Sequence, residues 1–451
     1  MVQPLLRLST FSLTAIVGLL TFANTACQSL PENTGSKGTS EYSNDLQCKE
    51  MQAPQDMTGL VVKEGYPLEE HFVATPDGYI LGLYRIPHGR IPSTVELETM
   101  DVAFEEKAME TGKPVVLLQH GLLDCSASWV CNGANESLGF ILADRGFDVW
   151  LANSRGNTYS LRHRTLNPCE DAFWQFTFDE MAYVDLPAVM RHILDVTNVE
   201  TIGFVGHSQG TTIGFGAFSQ DVDMAHRVSV AAMLAPVAFL THTGSSVLRW
   251  LAGLDIASAL EILGIREFLP SSNPKIIEEL CKASGSPCRN IVTLLCGYNA
   301  ANINNTRWPT YLSISPAGTS VANMIHWTQC IQNHNASVLQ EYDFGGNCHK
   351  GRLCNEDVYG MATPPAYNIS ELRVPVAIFS GGKDILADQS DVQLLLDILP
   401  DDLVLLHHEE PSYAHLDFTW GMNAHTLVYP KVVQVLEQHA RKNSGVVGAE
   451  I

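Results

Sequence analysis

Short apolar runs rich in β-branched residues alternate with helix-length segments beyond residue 58. Parallel strands buried on both faces give such runs, and the segments between them are long enough for crossover helices. The pattern predicts an α/β fold with a mostly parallel central sheet. The predicted strands are His71–Thr75 and Ile80–Arg85, which form a hairpin through Pro76-Asp77-Gly78, and then Val115–Gln119, Phe147–Ala152, Ile202–Val205, Val228–Leu234, Val376–Ser380 and Leu403–His407.

The alternation lapses in residues 239–370, where helical patterns predominate, and it resumes afterwards. Because the last strands are needed to complete a sheet, we interpret this stretch as a mainly helical cap or lid, inserted between two parts of one core, 59–238 and 371–442. A separate downstream domain is the alternative. In the first part of the core, Thr177-Phe-Asp-Glu180 matches a capping box and predicts the start of an amphipathic helix.

The N-terminus has the charge and hydropathy pattern of a secretory signal peptide. Arg7 precedes a mainly apolar run, Phe11–Ala23, and small residues follow it, so residues 1–26 are predicted to be removed. The run is shorter than the about 20 apolar residues that span a bilayer, so no integral span is expected in the mature chain. A retained signal anchor and an organellar transit peptide are the alternatives. Residues 27–58 are polar without periodicity and are interpreted as a flexible leader.

The composition is typical of a globular protein and argues against some kinds of binding partner. Hydrophobic residues make up 45% and charged residues 17% of the chain, which is ordinary globular usage and excludes collagen-like, coiled-coil and disordered classes. The formal net charge of −22 disfavours attraction to phosphate backbones. We therefore expect no nucleic acid partner.

Cysteines and glycosylation motifs agree with an oxidising compartment. The chain has 11 cysteines and no Cys-x-x-Cys, which favours disulfides over a structural zinc site. The close pairs that suit short disulfide loops are Cys125 with Cys131, Cys281 with Cys288, and Cys348 with Cys354. Four Asn-x-Ser/Thr sequons, which are candidate glycosylation sites, lie at Asn135, Asn304, Asn335 and Asn368.

One motif carries a candidate nucleophile. Gly206-His-Ser-Gln-Gly210 directly follows a predicted strand and opens a helical pattern. In such a turn the central residue is strained, and glycines on both sides let the strand and the helix approach closely. The serine hydroxyl is then exposed at the carboxyl end of the strand. Ser208 is the predicted nucleophile, and an ordinary glycine-rich turn is the alternative.

A serine nucleophile needs a base, and the base needs a carboxylate that orients it. Both follow Ser208 in the order Ser, Asp, His that is typical of this strand–turn–helix motif. Asp384 and His415 each come after a predicted strand, where loops of α/β folds carry function. The rivals are Asp388 for the acid and His407 and His408 for the base, although a histidine in or beside a strand is more typical of packing.

The oxyanion that forms in acyl transfer needs two backbone N–H donors. One comes from the residue after the nucleophile, Gln209, and the other from the loop after an early strand. His120-Gly-Leu-Leu123 is that loop and can aim the N–H of Leu122 inward. A plain turn with buried leucines is the alternative. The side chain of His207 is interpreted as packing rather than chemistry.

Longer motifs in a fixed order resemble the acid lipase family, which groups gastric and lysosomal acid lipases with plant and fungal relatives. The match runs from about Gly65 to Tyr429, and the chain resembles a plant- or fungal-type member. The motifs include Leu118-Gln-His-Gly-Leu122, Asn153-Ser-Arg-Gly-Asn157, Gly206-His-Ser-Gln-Gly210, Pro316-Ala-Gly-Thr-Ser320, His326-Trp327, Tyr342-Asp-Phe-Gly345 and Gly381-Gly-Lys-Asp384.

The resemblance implies an α/β-hydrolase fold with a helical cap or lid. It implies a serine hydrolase that cleaves triacylglycerols or sterol esters at a lipid interface without a cofactor. The N-terminal signal, the cysteines and the sequons predict that the protein is secreted or reaches a lysosome or vacuole, and no metal is expected. A disulfide lies in the cap of the family, and Cys281 with Cys288 is the pair that fits. The resemblance assigns the nucleophile, acid, base and oxyanion donors to Ser208, Asp384, His415, Leu122 and Gln209.

Two other functions stay open at this point. An acyltransferase would use the same serine but exclude water and bind an acceptor. A non-catalytic lipid-binding relative would usually lack a member of the triad, and this chain retains all three.

Overall fold

The computed structural model describes residues 57–90, 113–253, 264–269, 297, 299, 301–333, 338–348 and 353–440. The predicted signal peptide, most of the leader and the sequon at Asn335 lie outside the described residues. The described chain opens with a helix, Met57–Val61, in which Met57 is buried. Residues 57 and 58, which the sequence pattern assigns to the end of the leader, lie in this helix.

Most of the described strands form one central sheet of nine strands. In chain order the strands are β1 (Glu69–Ala74), β2 (Tyr79–Ile86), β3 (Val115–Gln119), β4 (Asp148–Ala152), β5 (Arg162–His163), β6 (Ile202–His207), β7 (Val228–Leu234), β8 (Glu267–Phe268), β9 (Thr319–Ser320), β10 (Val376–Gly381) and β11 (Val404–Glu410). The central order is β1-β2-β4-β3-β6-β7-β10-β11, with β5 paired to β2. Neighbours from β4 to β11 are parallel, and β2 is antiparallel to β1, β4 and β5. The predicted mostly parallel sheet is confirmed.

Burial follows each strand's place in the sheet. Every residue of β3, β4, β6 and β10 is buried, which requires cover on both faces of the sheet. The edge strand β11 alternates half-buried and exposed residues. The continuous apolar runs in the sequence therefore correspond to strands in the middle of the sheet, which are buried on both faces.

Helices connect and cover these strands. They are α1 (Met57–Val61), α2 (Leu138–Asp144), α3 (Phe178–Glu180), α4 (Leu186–Thr197), α5 (Gln209–Gln220), α6 (Val222–Ala225), α7 (Ser246–Gly253), α8 (Trp308–Ile314), α9 (Val321–Gln332), α10 (Asn355–Tyr359), α11 (Gln389–Ile398), α12 (Asp417–Trp420), α13 (Ala424–Leu427) and α14 (Tyr429–Ala440). The predicted capping box is confirmed: Thr177 Oγ1 accepts from Asp179 N–H, and the Glu180 carboxylate accepts from Thr177 N–H. Within the described ranges, no helix has the length and apolar character needed to cross a bilayer.

The stretch between β7 and β10 differs from the alternating core. Its described residues hold α7 to α10 and the small antiparallel sheet of β8 and β9. Part of it packs into the main core: Tyr311 is fully buried and stacks on Trp420 with ring centroids 4.7 Å apart. Tyr311 Oη also donates to Asn132 Oδ1 over 2.5 Å. The described part of the insert thus contains helices, and one of them, α8, contacts the main core through Tyr311.

The cysteines only partly follow their spacing. Cys348 and Cys354 form a disulfide, which confirms that pair. Cys125 and Cys131 are free, buried thiols, so the disulfide suggested by their spacing is wrong. The physical reason is that the two thiols point at different backbone carbonyls. Cys125 Sγ contacts Ile314 O and Cys131 Sγ contacts Ser128 O, each over 3.3 Å.

The cap disulfide implied by the family resemblance would join Cys281 and Cys288, which both lie outside the described residues. A disulfide between Cys281 and Cys288 therefore stays a prediction. Cys330, on α9 of the same insert, is a free and half-buried thiol.

Candidate active site

Ser208 lies in the turn between β6 and α5, with φ 54° and ψ −124°. Few residues that carry a Cβ adopt a positive φ, and such strain clusters at functional sites. Glycines on both sides make the turn possible: a Cβ at Gly206 would lie 2.9 Å from the Gly210 carbonyl carbon, and a Cβ at Gly210 would collide with the Gln119 carbonyl oxygen. The strained strand-to-helix turn expected from the motif is therefore present, at the carboxyl end of β6.

Three side chains at this edge form a continuous chain of hydrogen bonds. Ser208 Oγ lies 2.7 Å from His415 Nε2, and His415 Nδ1 lies 2.8 Å from Asp384 Oδ2. Because a carboxylate only accepts, Nδ1 carries the hydrogen of the neutral imidazole and Nε2 accepts from the serine hydroxyl. The other oxygen of Asp384 accepts from the N–H groups of Leu386 and Ala387, at 2.8 and 2.9 Å. The arrangement can move the serine proton to a fixed imidazole.

The rival residues have other partners. Asp388 is the N-cap of α11 and accepts from Ser390 N–H over 2.9 Å. His407 lies on β11 with its Nε2 2.9 Å from Ser380 Oγ, and His408 is the next residue of that strand. The structure thus brings Asp384 and His415, and not their rivals, to Ser208.

The predicted oxyanion loop lies directly against the nucleophile. A Cβ at Gly121 would lie 2.9 Å from Ser208 Cβ, so this backbone can approach only because residue 121 is glycine. The loop then turns through Leu122 and Leu123, and Leu123 has φ 58°. Asp124 N–H donates to Gly121 O over 3.3 Å, so Leu123 is the third residue of a four-residue turn and lies in the left-handed region, where glycine is usual. The segments that carry Leu122 and Gln209 therefore both adjoin Ser208.

Two buried histidines hold the backbone around the site. His207 Nε2–H donates to the carbonyl oxygen of His415 over 3.1 Å, so the nucleophile turn is tied to the loop of the base. Burial lowers the pKa of His207 to about 3 and that of His120 to about 4, so both are neutral near pH 7. His120 Nε2 accepts from Ser154 N–H at 3.0 Å, and its Nδ1–H donates to Gly121 O at 2.8 Å. His207 packs as predicted, and its hydrogen bond adds a contact that the motif alone did not reveal.

A carboxylate that sequence reasoning missed holds the loop of His415. Asp417 Oδ2 accepts from Ala414 N–H, and its Oδ1 accepts from Asn302 Nδ2, both over 2.7 Å. Burial raises the pKa of Asp417 to about 6. Asn302 belongs to the insert and is far from His415 in the sequence, so no local pattern around His415 could have revealed the contact between Asn302 and Asp417.

The remaining predicted sites lie elsewhere. Asn135 and Asn368 are exposed and Asn304 is half-buried, and their glycosylation stays a prediction. Among the residues that the structure describes, Cys348, Cys354 and Asp357 are the group with metal-ligand spacing. The two sulfurs of that group are joined in a disulfide and are not free to bind a metal.

Comparisons with known proteins agree with this geometry. Two family models match, the partial alpha/beta-hydrolase lipase region over residues 57–133 and the alpha/beta hydrolase fold over residues 114–254. The chain is 42% identical over 386 residues to lysosomal acid lipase/cholesteryl ester hydrolase of Homo sapiens, which covers 83% of this chain and 89% of that protein. It is 40% identical over 388 residues to gastric triacylglycerol lipase of Homo sapiens, with coverages of 85% and 91%. Such identity across most of both chains shows that the protein belongs to the acid lipase family of α/β-hydrolases.

Proposed function

We propose that the protein is a serine hydrolase that cleaves carboxylic esters of neutral lipids, triacylglycerols or sterol esters, through an acyl-enzyme. The observation that carries the proposal is the hydrogen-bonded chain from Ser208 through His415 to Asp384. The relatives supply the substrate class, since one is named a cholesteryl ester hydrolase and another a triacylglycerol lipase. Those names favour hydrolysis over acyl transfer or lipid binding without catalysis.

In acylation, Ser208 Oγ bonds to the ester carbonyl carbon while its proton passes to His415 Nε2. The carbonyl π bond opens, and the negative charge on the oxygen is stabilised by the N–H groups of Leu122 and Gln209. Asp384 stabilises the imidazolium through the Nδ1–H bond. When the intermediate collapses, the bond to the alcohol oxygen breaks, and His415 gives its proton to that oxygen.

In deacylation, water replaces the alcohol. His415 takes a proton from water as the water oxygen bonds to the acyl carbon, and the same two N–H groups stabilise the second oxyanion. Collapse breaks the bond to Ser208 Oγ, and His415 returns the proton to that oxygen. The fatty acid leaves, and the free serine is restored.

We also infer where the protein acts and how it is organised. The similar proteins include a lysosomal and a gastric lipase, and the Cys348–Cys354 disulfide suits an oxidising compartment. These facts support a secretory route, with residues 1–26 removed and delivery outside the cell or to a lysosome or vacuole. Residues 239–370 would then form the cap or lid, between core segments 59–238 and 371–442.

The test is hydrolysis of emulsified triolein, emulsified cholesteryl oleate and a short soluble ester by the chain purified from a eukaryotic host. We expect fatty acid release from at least one emulsified ester, with a rise in rate once the substrate exceeds its solubility. The Ser208→Ala variant should release none. Rapid cleavage of the soluble ester with no cleavage of either lipid would make the protein an esterase of small substrates and overturn the proposed substrate class.

A further inference from the structure

We propose that Asn323 and Trp327, on helix α9 of the insert, are positioning residues for the oxyanion hole. They hold the side chain of Gln209, whose backbone N–H is one of the two proposed donors. The inference rests on the proposed function, because it assigns a role within that reaction. It gives the insert a part in transition-state stabilisation that is distinct from covering the substrate.

The contact is a buried pair of hydrogen bonds to one oxygen. Gln209 Oε1 accepts from Trp327 Nε1–H over 2.7 Å and from Asn323 Nδ2 over 3.0 Å. An indole N–H can only donate, so the amide oxygen of Gln209 must face it, and Asn323 must then present its nitrogen. The exposed fractions are 2%, 0% and 6% for Gln209, Asn323 and Trp327. Water therefore has little access to replace either donor, and loss of one leaves a buried group unsatisfied.

Holding the side chain of Gln209 also helps to fix the direction of its backbone N–H, because both depend on the strained backbone of Ser208. The angle ψ of Ser208 sets the orientation of the Ser208–Gln209 peptide, which contains that N–H. Ser208 has φ 54° and ψ −124°, a conformation that persists only where its surroundings enforce it. Relaxation of this angle would move Gln209 away from Asn323 and Trp327, so the two hydrogen bonds oppose it.

The same segment of the insert also holds the other half of the oxyanion hole. Ala317 N–H donates to Leu123 O over 2.8 Å, and Ser315 Oγ donates to the same oxygen over 3.3 Å. Leu123, with φ 58°, directly follows the second proposed donor, Leu122. Residues 315–327 thus contact both strained segments that supply the oxyanion donors.

Helix α9 can act as a support because contacts other than Gln209 fix it to the core. Ser320 Oγ caps the helix by accepting from Asn323 N–H over 2.9 Å, and the same hydroxyl donates to Phe176 O. The ring of Trp327 packs on Phe178 with centroids 4.8 Å apart. The donors therefore come from a helix whose position is set independently of the amide that they bind.

The experiment removes one donor and keeps the ring. In Trp327→Phe the indole N–H is lost, and the rate is measured on a short soluble ester, per active site titrated with a fluorophosphonate. We expect kcat to fall about tenfold, less than when an oxyanion donor is itself removed, while KM stays within about twofold. An alkyl trifluoromethyl ketone, whose adduct with Ser208 carries an oxyanion, should inhibit the variant less tightly by a similar factor.

Trp174→Phe is the matched control. Its indole N–H also donates to a single oxygen, that of Pro168 at 2.7 Å, and the residue is 4% exposed. We expect the control to lose some stability but to keep kcat per titrated site and the affinity for the ketone.

The outcomes separate positioning from a merely structural role. If Trp327→Phe lowers the thermal midpoint or the titratable fraction while kcat per titrated site is unchanged, the proposal is overturned. Asn323→Ala makes the same test should Trp327→Phe fail to fold. Failure of the proposed function would look different, because the wild type itself would then cleave neither lipid, or ester hydrolysis would survive Ser208→Ala.

Discussion

The carboxyl edge of the central sheet and the insert after β7 contribute to the site in different ways. The sheet edge supplies the reacting groups, because Ser208, Asp384 and His415 follow β6, β10 and β11. The insert supplies side chains that bind residues next to these groups. Asn302, for example, donates to Asp417, which lies two residues after His415. Substitutions at the sheet edge should therefore abolish the chemistry, whereas substitutions in the insert should weaken it.

The largest effect is expected at the sheet edge. Ser208→Ala, Asp384→Asn and His415→Gln should each lower kcat by about four orders of magnitude, because each removes a member of one proton-transfer unit. Steady-state kinetics on a soluble ester measures this, with circular dichroism to show that each variant is folded.

Asp388→Asn is the matched control for the acid. Asp388 caps α11 through a side-chain oxygen, which asparagine retains, so activity should stay near that of the wild type. A larger loss from Asp388→Asn than from Asp384→Asn would show that the wrong carboxylate has been assigned.

The sheet edge was also the part that the sequence predicted best. The bounds of β3 and β7 match their apolar runs, and the Gly-x-Ser-x-Gly motif encodes the strained turn within five consecutive residues. Position just after a predicted strand, and not order along the chain alone, favoured Asp384 and His415 over their rivals, since strand ends of a parallel sheet meet at one edge.

The supports in the insert could not be predicted in the same way. Gln209 and Trp327 are 118 positions apart, and Asn302 and Asp417 are 115 apart, so no periodicity links either pair. The spacing of Cys125 and Cys131 was misleading for a related reason: both thiols are buried in the core and directed at different carbonyls.

Buried charge also distinguishes the core from its boundary with the insert. In the core, Arg155 is 1% exposed and binds Asp185 at 2.6 Å and Asp77 at 2.7 Å. At the boundary, Asp179 and Glu341 accept from the tyrosine hydroxyls of Tyr367 and Tyr183. Burial raises the pKa of Asp179 to about 6, and burial together with the charge of Asp179 raises the pKa of Glu341 to about 7.

The second prediction concerns the stability of the core. Arg155→Ala leaves the buried Asp185 carboxylate without its cation and should lower the free energy of unfolding by about 3–5 kcal/mol. Arg145→Ala breaks a pair with Glu437 in which the arginine side chain is 56% exposed, and should cost less than about 1 kcal/mol. Urea unfolding of both variants checks the difference, and equal losses would refute the distinction between the two pairs.

The smallest effect is expected at the boundary and depends on pH. The folded-state pKa of Glu341, about 7, lies above the ordinary value of 4.5. Between these two pH values the folded state holds a proton that the unfolded state has released. The stability of the folded state therefore falls as pH rises from about 4.5 to about 7.

Glu341→Gln removes this dependence and keeps an oxygen for the Tyr183 hydroxyl. The drop in melting temperature from about pH 5 to about pH 8 should be smaller in the variant than in the wild type, by about one or two degrees. The exposed Glu371→Gln is the control and should show the wild-type drop. An unchanged drop in Glu341→Gln would mean that Glu341 titrates alike in both states.

The central claim is that Ser208 carries the acyl group during hydrolysis of a neutral lipid ester. It is tested most directly by quenching the wild-type enzyme with acid during turnover of a triacylglycerol and locating the acylated residue by peptide mass spectrometry. We predict a fatty acyl group on Ser208 and none in the Ser208→Ala protein. An acyl group on another residue, or undiminished turnover by Ser208→Ala, would contradict the claim.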